Sequence, residues 1–222
     1  MKSKLYENKK IIACDMDMTV INEESINLIA KKVLKNDEMD KLTKKAMNGE
    51  IKFKESILFR TKKLKGLEVK QILPLLKLIK FSPGIKEVIK TMNAYGSHTM
   101  LISGGYDLIA NFIGKKVGFK EVISNQLVLK KNIITGHLKN TIIDREGKLK
   151  YFKNRIKKNN ILLSETLAVG DGDNDISMIK HSSLGVAWRG YPKVKKVADI
   201  SMGRNFKSLL YFQGYKEKEF VK

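Results

Sequence analysis

Short apolar runs that end in acidic, serine or glycine residues most constrain the fold available to this chain. Three runs end in this way and a fourth follows them, at residues 11–14, 99–102, 166–169 and 184–188. Apolar runs without polar alternation are typical of strands buried on both faces of a parallel sheet. Helical patterns separate the runs, at residues 84–95, 106–117 and 148–159. This alternation predicts an α/β fold with a doubly wound parallel sheet, whose ligand sites lie at the carboxyl ends of the strands.

The region between residues 22 and 81 breaks the alternation, because its pattern is helical throughout. Its predicted helices occupy residues 24–34, 40–47, 53–64 and 68–79. A helical insertion after the first strand would cover the carboxyl edge of the sheet, where a cap can exclude water and select substrates. We therefore predict an α/β core formed by residues 1–21 and 82–222, and a small helical cap formed by residues 22–81. A Lys-Asn pair between β-prone runs predicts a hairpin at residues 128–138.

The formal net charge of +21 raises the question of an anionic partner. Lysines lie along nearly every segment, and the chain has no zinc-finger spacing, no RNA-binding aromatic signature and no basic arm. No dedicated nucleic-acid partner is therefore expected, although a positive field speeds the capture of anionic substrates. A basic RNA-binding module without catalysis is the alternative function from another class.

The cysteine count and the lengths of the apolar runs indicate the cellular compartment in which the protein is expected. The single cysteine, Cys14, cannot form an internal disulfide, which is typical of a reducing compartment. The apolar run after the basic start is too short for a signal peptide, and no run of 18 apolar residues could span a membrane. We expect a cytoplasmic monomer or homodimer with no membrane partner.

Two acidic residues, Asp15 and Asp17, follow the first predicted strand. Carboxylates two positions apart at a strand end project on the same side, so one can attack phosphorus while the other moves a proton. A solvated acidic turn is the competing interpretation of such a pair. A calcium loop is excluded, because Val20 and Ile26 stand where that loop requires Gly and Glu.

A second acidic segment, Gly-Asp-Gly-Asp-Asn-Asp at residues 170–175, follows the third apolar run. Acids at two neighbouring strand ends can supply hard oxygen ligands to one Mg²⁺ ion, with water and phosphate completing the octahedron. This segment is not a calcium loop either, since Ile176 and Ser182 replace the required Gly and Glu. Taken alone, it could also be an Asx-rich turn.

Candidate phosphate-binding groups lie between the two acidic segments. Ser103, Gly104 and Gly105 offer a hydroxyl and unobstructed amide N–H groups to phosphate oxygens. Lys148 stands at a predicted helix start, where it could supply a cation to the nucleophile and the phosphate. In so basic a chain, a solvated surface lysine is the simpler interpretation.

The motifs follow one another in the order D-x-D-x-T, Ser-Gly, Lys and G-D-G-x-N-D. This order resembles the phosphatases of the haloacid dehalogenase superfamily from about residue 10 to residue 212. Within the predicted cap, Asn-Glu-Glu, Ala-Met-Asn-Gly-Glu, a Phe and an Arg resemble the substrate-recognition segment of the phosphoserine phosphatase group. The resemblance implies a Mg²⁺-dependent phosphoric monoester hydrolase with a Rossmann-like core. It would convert O-phospho-L-serine to L-serine through an aspartyl-phosphate, in the last step of serine biosynthesis.

The resemblance also implies a role for each matching residue. The catalytic residues would be Asp15 as nucleophile, Asp17 as general acid and base, and Lys148. The Mg²⁺ ligands would be Asp15, Asp17 through its carbonyl, Asp171, and Asp175 through water. Phosphate would be bound by Ser103, Gly104, Lys148 and Asn174. The cap would supply Glu24 for the substrate ammonium, Arg60 for its carboxylate, and Phe53 and Met47 as walls of the pocket.

Three residues depart from the family pattern without removing a catalytic group. Met18 replaces a small hydroxyl residue, Tyr106 replaces Phe, and Asp173 adds a charge that could tighten Mg²⁺ binding or face solvent. The sequence therefore constrains the substrate less than it constrains the type of reaction. Phosphothreonine and phosphoethanolamine stay open as alternative substrates. A sugar phosphate lacks the zwitterion that Glu24 and Arg60 would match. Transfer of the phosphate to a second alcohol instead of water also stays open.

Overall fold

The computed structural model describes residues 8–34, 39, 41–42, 45, 50–139 and 141–221, in which strands and helices alternate. The strands are β1 Ile11–Cys14, β2 His98–Tyr106, β3 Glu121–Asn125, β4 Leu127–Lys130, β5 Ile133–Leu138, β6 Thr166–Gly170, β7 Leu184–Trp188 and β8 Ile200–Met202. The α-helices are α1 Ser25–Ile29, continued by a wider π-type turn at Ala30–Leu34, α2 Phe53–Lys63, α3 Val69–Leu76, α4 Ile85–Ala94, α5 Asp107–Val117, α6 Arg145–Lys158, α7 Ile176–His181, α8 Pro192–Lys195 and α9 Ser208–Phe212. Short 3₁₀ turns occupy Leu163–Glu165, Asp173–Asp175 and Glu217–Glu219.

Six parallel strands form the central sheet, in the order β3-β2-β1-β6-β7-β8. Strand β1 lies in the middle, where Ile11 pairs with His98 of β2 on one side and Thr166 of β6 on the other. The chain builds the sheet outwards from β1 in both directions. The predicted doubly wound α/β fold is therefore confirmed, and the point where the strand order reverses is the usual ligand site of such sheets.

The two faces of β1 bury into two separate clusters, which explains its continuous apolar sequence. Ile12 and Cys14 face the cluster that contains the apolar residues of α4, α5 and α9. Ile11 and Ala13 face the cluster that contains Phe152 of α6 and the apolar residues of α7. Both layers of helices are thus anchored to the strand that leads directly into the acidic pair.

The chain leaves and re-enters the core through two short antiparallel segments. Ile21 forms a bridge with Phe81, and the amide of Asn22 donates to the carbonyl of Lys80 at 2.9 Å. Helices α1, α2 and α3 lie between these segments. They confirm the helices predicted at 24–34 and 53–64, and the helix predicted at 68–79 ends earlier, at Leu76. Most of the predicted helix at 40–47 lies outside the described residues.

The predicted hairpin is confirmed, and it supports the region between α2 and α3. Strands β4 and β5 pair around Lys131 and Asn132, whose φ angles of 49° and 62° fit a two-residue hairpin turn. Ile134 of β5 donates its amide to the carbonyl of Leu67 at 2.9 Å and accepts from the amide of Gly66 at 2.9 Å. The sequence analysis did not predict the edge strands β3 and β8.

Among the described residues, no helix combines the length and the apolar character that crossing a bilayer demands.

Candidate active site

Three buried carboxylates meet at the carboxyl edge of the sheet, where the strand order reverses. Asp15 follows β1, while Asp171 and Asp175 follow β6, and each offers an oxygen within 4.8 Å of the other two. Three acids this close repel one another strongly unless cations neutralise them. Carboxylate oxygens are the donors that hard divalent cations prefer, so this donor set fits such an ion.

Lys148 is the protein cation of this cluster and not a surface residue. Its side chain is fully buried, and its ammonium group donates to Asp175 Oδ1 at 2.6 Å and to Asp15 Oδ1. Burial lowers the pKa of Lys148, but the charges of Asp15 and Asp175 outweigh burial and raise it above its ordinary value. Lys148 therefore stays protonated and fixes the nucleophile candidate Asp15 to the opposite loop.

Helix α6 is capped so that its first turn presents Lys148 to the carboxylates. Asp144 is the N-cap residue, and its side chain accepts the amide of Gly147 at 3.0 Å. The aromatic ring of Phe152, one turn further along, is fully buried under the sheet. The N-cap bond of Asp144 and the buried ring of Phe152 together fix the position and the rotation of α6.

The loop that follows β6 is folded around Asp175. Asp175 Oδ2 accepts the amides of Asp171 at 3.1 Å and Gly172 at 3.0 Å. A β-carbon at Gly170 would lie 2.4 Å from Asp175 Cγ, so only glycine leaves room for this side chain. Thr19 donates its hydroxyl to Asp171 Oδ1 at 2.8 Å, which ties the loop after β1 to the loop after β6.

Asp15 and Asp17 have different surroundings, although they are two residues apart. Burial, and then the charge of Asp175, raise the pKa of Asp15 to about 7, while Lys148 acts in the opposite direction. Asp17 Oδ1 instead accepts the amide of Ser25 at 2.8 Å at the start of α1, and burial raises the pKa of Asp17. One carboxylate is thus paired with a cation, whereas the other is bonded to a backbone amide of α1.

Two of the three residues that depart from the family pattern lie in the loops that follow β1 and β6. Met18 adopts a φ angle of 54° in the turn after Asp17, a left-handed conformation that side chains other than glycine adopt at a cost of about 1 kcal/mol. Asp173 forms an ion pair with Arg145 of α6, and its carbonyl accepts Arg145 Nε at 3.0 Å. Asp173 therefore fastens the loop to α6. Its predicted effect on Mg²⁺ binding stays a prediction, because it concerns a bound ion.

The Ser-Gly-Gly segment lies at the irregular end of β2, facing the carboxylates. Ser103 is buried, and its hydroxyl accepts the amide of Gly105 at 2.9 Å. A β-carbon at Gly104 would lie 2.5 Å from Phe53 Cζ of α2. The absence of a side chain at Gly104 thus lets the helix of the cap region pack directly on this segment.

A small, partly open cavity of about 20 Å³ lies between the carboxylates and helices α1 and α2. Its walls include most of the predicted site residues: Asp15, Asp17, Glu24, Phe53, Arg60, Gly104, Asp171 and Asn174. Arg60 is buried, and its Nε donates to the carbonyl of Ser56 at 3.3 Å. Burial, and then the charge of Asp17, raise the pKa of Glu24 to about 8, while Arg60 lowers it. An acid and a base thus face the same small space.

The structure brings together all the predicted site residues that it describes. Lys148, Asp175 and Ser103 lie directly behind the cavity wall through the contacts given above. Met47 lies outside the described residues. The predicted metal role of the Asp17 carbonyl and the predicted phosphate contact of Asn174 stay predictions, because both concern bound groups.

Asn125 is a supporting residue that the sequence analysis missed. Its buried side chain donates from Nδ2 to the carbonyl of Gly104 at 2.8 Å and accepts the amide of Ile143 on Oδ1 at 2.8 Å. It therefore links the Ser-Gly-Gly segment to the residues that precede α6 and Lys148. Asn125 ends the unpredicted strand β3, so nothing in the sequence pattern placed it beside the site.

The match to a family model decides the family of this chain. The model described as haloacid dehalogenase-like hydrolase matches residues 12–180, which include every acidic and basic site residue described above. The chain belongs to the haloacid dehalogenase-like hydrolase family. Phosphatases of this family use a metal ion, and the Asp15, Asp171 and Asp175 cluster could hold one.

Relatives within the family are similar to this haloacid dehalogenase-like chain over most of its length. The phosphoserine phosphatase of Methanocaldococcus jannaschii is 34% identical over 196 residues, which cover 88% of this chain and 93% of the relative. The phosphoserine phosphatase of Lactococcus lactis is 34% identical over 205 residues, which cover 92% of this chain and 95% of the relative.

Solved structures extend the similarity to the fold. A phosphoserine phosphatase with an analogue of the phospho-aspartyl intermediate matches with a TM-score of 0.86 at 33% identity, covering 93% of this chain and 99% of that chain. A substrate-bound phosphoserine phosphatase complex matches with the same TM-score, identity and coverage.

Replacing Asn125 by Ala should lower the free energy of unfolding by about 2 kcal/mol, because the buried amide of Ile143 and the carbonyl of Gly104 each lose a partner. Urea denaturation of the metal-free protein measures this change. Asn111→Ala is the control, since Asn111 is exposed on α5 and its replacement should change stability by less than about 0.5 kcal/mol. Equal stabilities of the two variants would contradict the linking role of Asn125.

Proposed function

We propose that this chain is a cytoplasmic, Mg²⁺-dependent phosphatase that hydrolyses O-phospho-L-serine to L-serine and phosphate, the last step of serine biosynthesis. The observation that carries the proposal is the buried arrangement of Lys148 with Asp15 and Asp175, beside a cavity that also contains Glu24 and Arg60. The similarity to phosphoserine phosphatases over nearly the whole chain supports the choice of substrate.

The cation we propose is Mg²⁺, because every candidate donor is a hard oxygen atom. Asp15 and Asp171 would hold it directly, together with the backbone carbonyl of Asp17, and Asp175 would act through water. When bound, the ion would neutralise charge on the phosphoryl group and keep Asp15 ionised against the effect of burial. The short distances among the three carboxylates support this assignment.

In the first proposed step, a carboxylate oxygen of Asp15 attacks phosphorus in line with the bond to the serine oxygen. The new bond from Asp15 to phosphorus forms as the bond from phosphorus to the serine oxygen breaks. Asp17 gives its proton to the departing oxygen, which the raised pKa of Asp17 supports. Lys148 stays bound to Asp15 and offsets the charge of the phosphoryl oxygens.

In the second step, Asp17 takes a proton from a water molecule, whose oxygen attacks the phosphorus of the aspartyl-phosphate. The bond from phosphorus to Asp15 breaks, and the carboxylate of Asp15 is regenerated. Asp17 thus acts first as acid and then as base, which returns the enzyme to its starting protonation state. Phosphate would be held throughout by Ser103, Gly104, Lys148 and Asn174.

Recognition of the serine moiety requires one anionic and one cationic group. Glu24 would bind the substrate ammonium, and loss of its proton on binding would be favoured by that positive charge. Arg60 would bind the carboxylate, because a guanidinium group matches a carboxylate with two parallel hydrogen bonds. Phe53 and Met47 would complete the walls.

The small volume of the cavity supports a movement of the helices above it. About 20 Å³ accommodates roughly one water molecule, which is far less than a phosphorylated amino acid needs. We propose that residues 22–81 move as a cap on a core of residues 1–21 and 82–222, about the paired segments at Ile21 and Phe81. Closure would then exclude bulk water while the aspartyl-phosphate exists.

The function is tested by a panel of phosphorylated metabolites assayed with Mg²⁺ and with a chelator. Phosphoserine should be the preferred substrate, and the chelator should abolish its hydrolysis.

Asp15→Asn should lower kcat by at least about 1,000-fold, because an amide cannot act as the nucleophile. Glu217→Gln, which removes an exposed acid of the 3₁₀ turn at Glu217–Glu219, is the control and should retain activity. Full activity of Asp15→Asn would contradict the mechanism, and steeply salt-dependent RNA binding without any hydrolysis would favour the RNA-binding alternative.

Substrate recognition is tested by Arg60→Ala. Its kcat/KM for phosphoserine should fall about 100-fold, since the substrate carboxylate loses a buried charged partner. Hydrolysis of p-nitrophenyl phosphate, which has no carboxylate, should change by less than about threefold. Lys62→Ala replaces an exposed cation of the same helix and should leave both rates unchanged. Equal losses on the two substrates would refute the role of Arg60.

A further inference from the structure

A hydrogen bond between two buried hydroxyl groups joins the core to helix α2. Tyr106, the last residue of β2, lies with its hydroxyl 3.0 Å from Thr61 Oγ1. Both side chains are almost completely inaccessible to solvent. Tyr106 also lines the cavity together with Arg60, the residue that precedes Thr61.

The direction of this hydrogen bond follows from the other contact of Thr61. Thr61 Oγ1 donates its single proton to the carbonyl of Ile57 at 2.7 Å, so it can only accept from Tyr106. Burial raises the pKa of Tyr106 to about 12, which keeps the phenol protonated at physiological pH. Tyr106 is therefore a permanent donor to the helix.

The bond fixes the end of α2 that carries Arg60. Phe53, Ile57 and Arg60 face the cavity from successive turns of one side of the helix. Phe53 packs on Gly104 near the first turn, whereas Thr61 is held by Tyr106 near the last. The contacts of Phe53 and Thr61, about two turns apart, fix the distance of α2 from the site and its rotation about its own axis.

We propose that the Tyr106 hydroxyl is a positioning group that holds Arg60 towards the substrate and thereby favours substrates with a carboxylate. The proposal deepens the proposed function and rests on it. Tyr106 takes no part in the transfer of phosphate. The Tyr106 hydroxyl affects substrate binding only by orienting α2 and therefore Arg60. It should matter only for substrates with a group that Arg60 binds.

The direct test is Tyr106→Phe, which removes only the hydroxyl and leaves Thr61 bonded to Ile57. We expect kcat/KM for phosphoserine to fall about fivefold, mainly through KM, as for the loss of one buried hydrogen bond. Hydrolysis of p-nitrophenyl phosphate should stay within about twofold of wild type. In an Arg60→Ala background, Tyr106→Phe should cause no further loss on phosphoserine. Equal losses on both substrates, or full additivity with Arg60→Ala, would overturn the proposal.

Tyr215→Phe is the matched control. Tyr215 is also buried and packs on Tyr95 after α4, and its hydroxyl has no hydrogen-bond partner among the described residues. Its replacement should leave the preference for phosphoserine over p-nitrophenyl phosphate unchanged. A shift in preference equal to that of Tyr106→Phe would show a general effect of removing buried hydroxyls and would also overturn the proposal.

Thermal unfolding separates this inference from the proposed function, because it needs no substrate. Thr61→Val should lower Tm more than Tyr106→Phe, since it leaves the buried Tyr106 hydroxyl without an acceptor. Adding Tyr106→Phe to Thr61→Val should recover part of that loss, whereas strictly additive shifts would overturn the link. A wild-type protein inactive on phosphoserine would contradict the proposed function, and the unfolding cycle alone would then decide whether Tyr106 holds α2.

Discussion

The buried contact of Lys148 with Asp15 and Asp175 is the interaction on which the rest of the site depends. It joins the loop after β1, the loop after β6 and the first turn of α6 at one point. This ammonium group offsets the mutual repulsion of three carboxylates that lie within 4.8 Å of one another. The ammonium group and the carboxylates therefore hold one another in fixed positions. Charges fixed in advance are what electrostatic catalysis of phosphoryl transfer requires.

Each loop around this unit is held by a contact of its own. Gly170 makes room for Asp175, Thr19 bonds to Asp171, and Asp144 caps the helix of Lys148. Asn125 links the Ser-Gly-Gly segment to the residues before that helix. The carboxylates and Lys148 thus lie on the loops and helix at the sheet edge, whereas Glu24 and Arg60 lie at the start of α1 and on α2. In the proposed function, the core would perform the chemistry and the residues of α1 and α2 would select the substrate.

The sequence predicted the parts of the site that depend on local order along the chain. Asp15 and Asp171 were predictable because each directly follows a buried parallel strand, and the ends of such strands meet at one edge. The functional role of Lys148 was predicted from the family resemblance and not from composition, which favours a surface lysine, and its burial was not predicted. Asn125 and the pairing of Asp173 with Arg145 were not predictable, because they depend on the packing of segments distant in sequence.

Calorimetric titration with Mg²⁺ measures directly whether one divalent cation binds among these carboxylates. We expect one ion bound per wild-type chain. We also expect an affinity at least about tenfold weaker in Asp171→Asn and unchanged in Glu217→Gln, which removes an exposed acid of the 3₁₀ turn at Glu217–Glu219. A wild-type protein that binds no Mg²⁺, or an Asp171→Asn variant that binds it as tightly as wild type, would contradict a metal site at this edge of the sheet.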